Sequence, residues 1–151
     1  MIFKTTFSVS GDNFHPSTVI DKLCGDFIIT DSFNSTDRTF VNPQIVYGYG
    51  GMSFWDPKKF ATEDNIIEYE TAFVDFIDKN YNLFIDAGAD RFNIYIEIYY
   101  DGEQCNFEIF DKHTLKKLTK YSISFPISVY RLSEQEIVDW EKEIKQEWVT
   151  E

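Results

Sequence analysis

The sequence predicts a single α+β domain: an antiparallel sheet of about five or six strands, helices mainly on one face, and a C-terminal helical extension. Three observations predict it. "RFNIYIEIYY", residues 91–100, alternates with the period of two expected of a half-buried strand. From Thr62 to about Phe84 the apolar residues recur instead at helical spacing. Finally, 15 Phe, 9 Tyr and 3 Trp among 151 residues can fill one core without disulfides or metals.

The elements follow in order along the chain. "TTFSVSG" alternates and stops at Gly11, as a strand entering a turn does. In "FHPSTVIDKLCG", Pro16 suits the first position of a short helix, Val19, Ile20 and Leu23 share a face, and Gly25 suits the C-terminal cap. "DFIITDSFN" resumes the strand pattern, "STDRTF" reads as a loop, and "FVNPQIVYGYGGMSFW" is extended, with glycines at 48, 50 and 51 marking a bend. The long helix after Thr62 carries Ile66, Ile67, Phe73, Val74, Ile77, Tyr81 and Phe84 on its apolar face, with Glu63, Asp64, Glu68, Glu70, Asp75 and Asp78 between them. "DAGAD" breaks it.

A hairpin is expected next, over 92–100 and 104–110. With Asp101-Gly102 as a two-residue turn, Ile98 faces Cys105, Ile96 faces Phe107 and Ile94 faces Ile109. Its other face would carry Tyr99, Glu97 and Tyr95 beside Gln104, Asn106 and Glu108. Asp111 is a helix cap for "KHTLKKLTKY", whose Leu115, Leu118 and Tyr121 are the expected buried positions among four lysines. "SFPISVYRL" reads as a strand with Pro126 at its start or at an edge. Ser133 and Glu136 form a capping-box pattern opening the last helix. That helix has a narrow stripe of Ile137, Trp140, Ile144 and Trp148, which either docks on its own domain, forms a dimer seam or anchors a partner. Trp140 is expected to be buried and Trp148 at least partly exposed. Residues 1–132 are thus read as the α+β domain, with 133–151 as a helix packed on it.

Composition narrows the function classes. The net charge is −12, and counting along the chain places −10 of it in residues 61–110, against +4 in 111–132. So acidic a chain lacks the basic patch that nucleic acid requires. No run approaches membrane-spanning length, and the N-terminus lacks the apolar region of a signal peptide, so the expected location is cytoplasmic. Cys24 and Cys105 have no CxxC spacing and read as reduced, buried and unjoined thiols. His15 and His113 lack partners at metal-ligand spacing, the glycines lack the Lys-Ser/Thr of a phosphate loop, and no GxSxG elbow exists. No enzyme, cofactor or metal is expected.

The order of elements resembles a bacterial family known only as domain of unknown function 4279. "FSVSGDNFHPSTVIDKL" is similar to its opening strand, glycine, proline-initiated helix and leucine. Trp55, "AGAD" with the following strand, "CNFEI", Leu115, Leu118 and the closing "ISVY" continue the likeness from Phe7 to Tyr130. This chain reads "LCGDFIITD" where the family has a Leu-Gly-Ile-x-Pro-Thr pattern, and the helix after Tyr130 is an addition. The resemblance implies an α+β fold and no catalytic residues. Small acidic bacterial proteins of this type resemble immunity proteins, which neutralise a toxin domain. The expected partner is therefore a basic, toxin-like protein domain, nucleases among them, bound by a monomer or weak homodimer. Glu68, Asp75 and Asp78 of the helix, or Tyr95, Glu97, Tyr99 and Glu108 of the hairpin, are the candidate contact residues. Tyr95 and Tyr99 have a second reading, packing against neighbouring stems or beneath a helix. The alternative function is a small-ligand-binding or regulatory domain with a pocket between sheet and helices.

Overall fold

A computed structural model describes residues 1–55, 66–102 and 108–147; for 66–69, 141 and 143–147 it describes the backbone alone. The strands are β1 (Ile2–Gly11), β2 (Ile28–Phe33), β3 (Gly50–Trp55), β4 (Arg91–Tyr100) and β5 (Ile127–Arg131). The helices are α1 (Ile66–Asp86), α2 (Lys112–Leu118) and α3 (Glu134–Glu147). The strands form one sheet in the order β2-β3-β1-β4-β5. Three of its pairings are antiparallel, while β5 lies parallel to β4. The predicted α+β class is the one observed, as a mixed sheet.

Alternation on the strands separates two faces. Phe3, Phe7 and Val9 of β1, Met52 and Phe54 of β3, and Phe92, Ile94, Ile96 and Ile98 of β4 are buried on one of them. Onto that face α1 sets Phe73, Val74, Phe76, Ile77 and Phe84. Phe7 is central: its ring stacks on Phe54 at 6.0 Å and Phe92 at 6.4 Å, and meets Phe73 and Phe76 edge-on. Offset and edge-on contacts suit the ring quadrupoles, and each buried Phe contributes roughly 1.5–3 kcal/mol through removal from water. The end of α1 is closed by Gly88, whose φ of 94° is the left-handed conformation that glycine adopts without a Cβ penalty. A Cβ on Gly11 would lie 2.4 Å from the Gly88 carbonyl oxygen, so the turn after β1 and the end of α1 approach as only glycine allows.

The expected hairpin is not formed. Ile96 pairs with Thr5 of β1 on one side and Ile127 of β5 on the other, leaving no edge of β4 for residues 104–110. β1 offers β4 nine consecutive partners, Ile2 to Ser10, which is more ladder than the local turn could supply. Glu108, Ile109 and Phe110 lie outside any strand, and Phe110 has a φ of 61°. A buried carboxylate holds this segment: Glu70 Oε1 accepts the Phe110 N–H at 2.6 Å. The remaining hairpin positions, Gln104, Cys105, Asn106 and Phe107, lie outside the described residues, as do Glu63 and Asp64. A parallel partner needs a crossover rather than a tight turn, and the connection from β4 to β5 carries α2, which packs on α1.

Other elements differ in detail. The proline-initiated helix is two 3-10 turns, Pro16–Thr18 and Ile20–Lys22, because Leu23 turns extended at ψ 139° and stops any further winding. Val19 is buried, yet Ile20 is exposed. Cys24 is exposed, contrary to expectation, and free. Its backbone is what the fold uses: Asn80, fully buried in α1, accepts the Cys24 N–H and donates to the Cys24 carbonyl at 2.9 and 2.8 Å. Leu115 was an expected core position but is 43% exposed; Leu118 alone seals α2 into the core.

Helix caps follow the sequence. Asp111 accepts from the His113 and Thr114 N–H groups, and Ser133 and Glu136 bond reciprocally at the start of α3. Pro126 immediately precedes edge strand β5. Trp140 is half-buried, with its ring 4.3 Å from that of Tyr99. Tyr99 points away from the Phe7 core, so α3 rests on the opposite face of the sheet from α1. The side chain of Ile144, and Trp148 altogether, lie outside what is described.

Candidate binding face

The strand registers place the residues facing away from α1 in rows across the sheet, since directly paired residues share a face. One row is Asp31, Ser53, Ser8, Asn93 and Ser124. The next is Ile28, Trp55, Thr6 and Tyr95, followed by Lys4, Glu97 and Ser128, and then Ile2, Tyr99 and Tyr130. Hydroxyl and amide side chains thus floor the middle of this face. A groove of about 310 Å³ opens there, lined by Lys4, Thr6, Tyr95, Glu97, Pro126 and Ser128. Tyr95 is 44% exposed beside it.

Aromatic clusters stand at both ends of the floor. At the α3 end, Tyr99 stacks on Tyr130 at 4.9 Å and meets Trp140. Burial, and then the neighbouring Glu97 charge, push the Tyr99 hydroxyl up to about 12. At the other end the Phe33 ring lies over Gly51, where a Cβ would come within 2.5 Å of it. Tyr47 stacks on Phe33 at 3.8 Å and Tyr49 meets it edge-on. Arg91 lies 5.2 Å from the Tyr49 ring centre and pairs with Asp12. An ion pair on the floor, Lys4 to Glu97 at 3.3 Å, is half-exposed and adds little stability.

The seven predicted contact residues are not brought together. Tyr95, Glu97 and Tyr99 share the open face, whereas Glu108 leaves it with the absent hairpin. Asp75 and Asp78 are exposed on α1, across the sheet from Tyr95. The Glu68 side chain is outside what is described. Asp78 is also engaged: it accepts hydrogen bonds from Lys120 and Tyr121, which hold its carboxyl below the usual range. The acid of residues 61–110 is further dispersed by Glu70, whose carboxyl is pushed up by burial. Sequence reasoning missed the Phe33–Tyr47–Tyr49 cluster. Its signal was present in "VYGYGG", where tyrosines at period two precede glycines able to accept a ring.

A second depression of about 360 Å³, beside the 3-10 turns, is lined by His15, Val19, Lys22, Leu83 and Asp86. Among the described residues no group of three His, Cys, Asp or Glu could hold a metal ion. No helix among them is long and apolar enough to cross a membrane. Compared with known proteins, the chain matches no family model, no curated protein and no solved structure.

Proposed function

We propose that this chain acts by binding, as an immunity-type protein that neutralises a basic toxin domain through the open face of its sheet. The observation that carries the reading is the contrast between the sealed phenylalanine face and a groove-bearing face flanked at both ends by aromatic clusters. Tyr and Trp give large contact area at low entropic cost, which is why they dominate binding hot spots. The net charge of −12 steers a basic partner toward encounter, within a Debye length of about 8 Å at physiological salt. In this reading the chain performs no catalysis, works in the cytoplasm of the producing cell, and belongs with the domain of unknown function 4279 group it resembles.

The alternative of a small-ligand or regulatory pocket between sheet and helices draws less support. The rings of Phe7, Phe54, Phe73, Phe76, Phe84 and Phe92 occupy that layer. Co-expression tests the proposal. The product of the adjacent reading frame should arrest growth alone, and this chain should restore growth and co-purify with it in a salt-sensitive complex. A product that forms no complex with the chain, or is equally harmful in its presence, would sink the proposal.

A further inference from the structure

The loop 34–49 between β2 and β3 exposes an apolar tip. Phe40 is 95% and Val41 94% exposed, and Ile45 and Val46 behind them are each more than half exposed. Soluble proteins seldom hold a Phe-Val pair fully in water without use for it. The tip is not a loose segment. The Thr39 N–H donates to the Ile45 carbonyl at 2.9 Å, the Ile45 N–H to Asn42, the Tyr47 N–H to Asp37 and the Gly48 N–H to Ser35. The Thr39 hydroxyl also donates to the Asn42 carbonyl, closing the turn that carries Phe40 and Val41. Arg38 donates to the Pro43 carbonyl, and the Phe33–Tyr47 stack clamps the base.

We propose that Phe40 and Val41 form a preformed anchor that inserts into an apolar pocket, rimmed by basic groups, on a partner protein. The inference rests on the binding reading above and extends its surface, because the loop rises from the Phe33 end of the same open face. A projecting tip needs a recessed acceptor, and the internal hydrogen bonds mean that little loop freedom is lost on binding. Charge selects the acceptor's rim. Residues 34–49 contain one acid and one base, both held within the loop, Asp37 accepting from the Asn34 N–H and Arg38 donating to the Pro43 carbonyl, so the rim is selected by the net charge of −12 on the whole chain. The same charge opposes an anionic membrane, and one short apolar tip without a basic patch is too weak a lipid anchor. Two such tips also bury far less surface than a stable dimer requires.

The test uses the full chain and the F40S/V41S double variant, which should fold unchanged because both side chains lie in solvent. Affinity for the inactivated product of the adjacent reading frame should fall about a hundredfold or more in the variant, while the salt dependence of association stays the same. If the parent chain binds and the variant binds equally well, the anchor is refuted and the binding reading survives. If the parent chain does not bind, both fall. Sedimentation of the parent chain, but not the variant, with neutral phosphatidylcholine vesicles would overturn the protein pocket in favour of a lipid surface.

Discussion

The two faces of one sheet are built from alternate residues of the same strands, yet they obey different rules. Phe7 and Thr6 are neighbours in β1; the first sits among five other phenylalanine rings and the second beside a groove. On the sealed face, size and shape decide which residue fits. On the open face, small hydroxyl residues leave the floor accessible and aromatic residues gather at its ends. Alternation therefore separates a packed face from an accessible one on a single strand.

The largest effect should appear on the sealed face. Phe7→Ala should cost about 3–5 kcal/mol through lost burial and a cavity, whereas Thr6→Ala should stay within about 0.5 kcal/mol, as surface changes do. Urea unfolding measures both, and equal costs would break the distinction between the faces.

Glu70 sharpens it, because this acid serves the core. Glu70→Ala leaves the Phe110 N–H unpaired and should cost roughly 1–3 kcal/mol. Glu70→Gln keeps an acceptor without the charge. Since burial raises the Glu70 pKa, its protonated form favours the fold, and that contribution is lost as pH rises through the folded pKa. The Gln variant should therefore gain on the parent protein as pH rises from acid to neutral, read as the difference in their unfolding midpoints. A gain in the opposite direction would mean that the carboxylate is stabilised where it stands.

The smallest effect belongs to Tyr99. Its ionisation, pushed up to about 12 by burial and by Glu97, should appear in an ultraviolet titration as a late step beside that of Tyr121, which burial also raises, and Glu97→Gln should move the Tyr99 step alone downward. The stabilisation from keeping this hydroxyl neutral is full below the ordinary tyrosine range, near pH 10, and lost as pH rises through about 12. No movement in the Gln variant would detach Glu97 from Tyr99.

Most of the sealed face was legible in the sequence, because period-two and helical spacing report burial directly. Phe92, Ile94, Ile96 and Ile98 of β4 and Phe73, Val74, Ile77 and Phe84 of α1 fall where the pattern puts them, whereas Phe76 is buried outside the predicted stripe and Tyr81 within it is only half-buried. The Asp111 and Ser133 caps were also legible, since their chemistry is local. Strand partnership was not. Asp101-Gly102 supplied a good local turn, but the ladder to β1 is non-local and longer, and the parallel ladder to β5 takes the other edge. The open face suffered for the same reason: Tyr95, Glu97 and Tyr99 were read together, while Phe33 and Tyr47 come from across the sheet and depend on its order. Leu115 and Cys24 show the further limit that an apolar residue on a short element has no periodic neighbours to fix its side.

The proposed interface with a basic partner is the open face and not the α1 face. Binding of the inactivated product of the adjacent reading frame, measured by surface plasmon resonance for Tyr95→Arg and Asp75→Arg, tests it most directly. If the open face is the interface, Tyr95→Arg loses about a hundredfold in affinity and Asp75→Arg changes little. The reverse pattern would place the interface on α1 and contradict it.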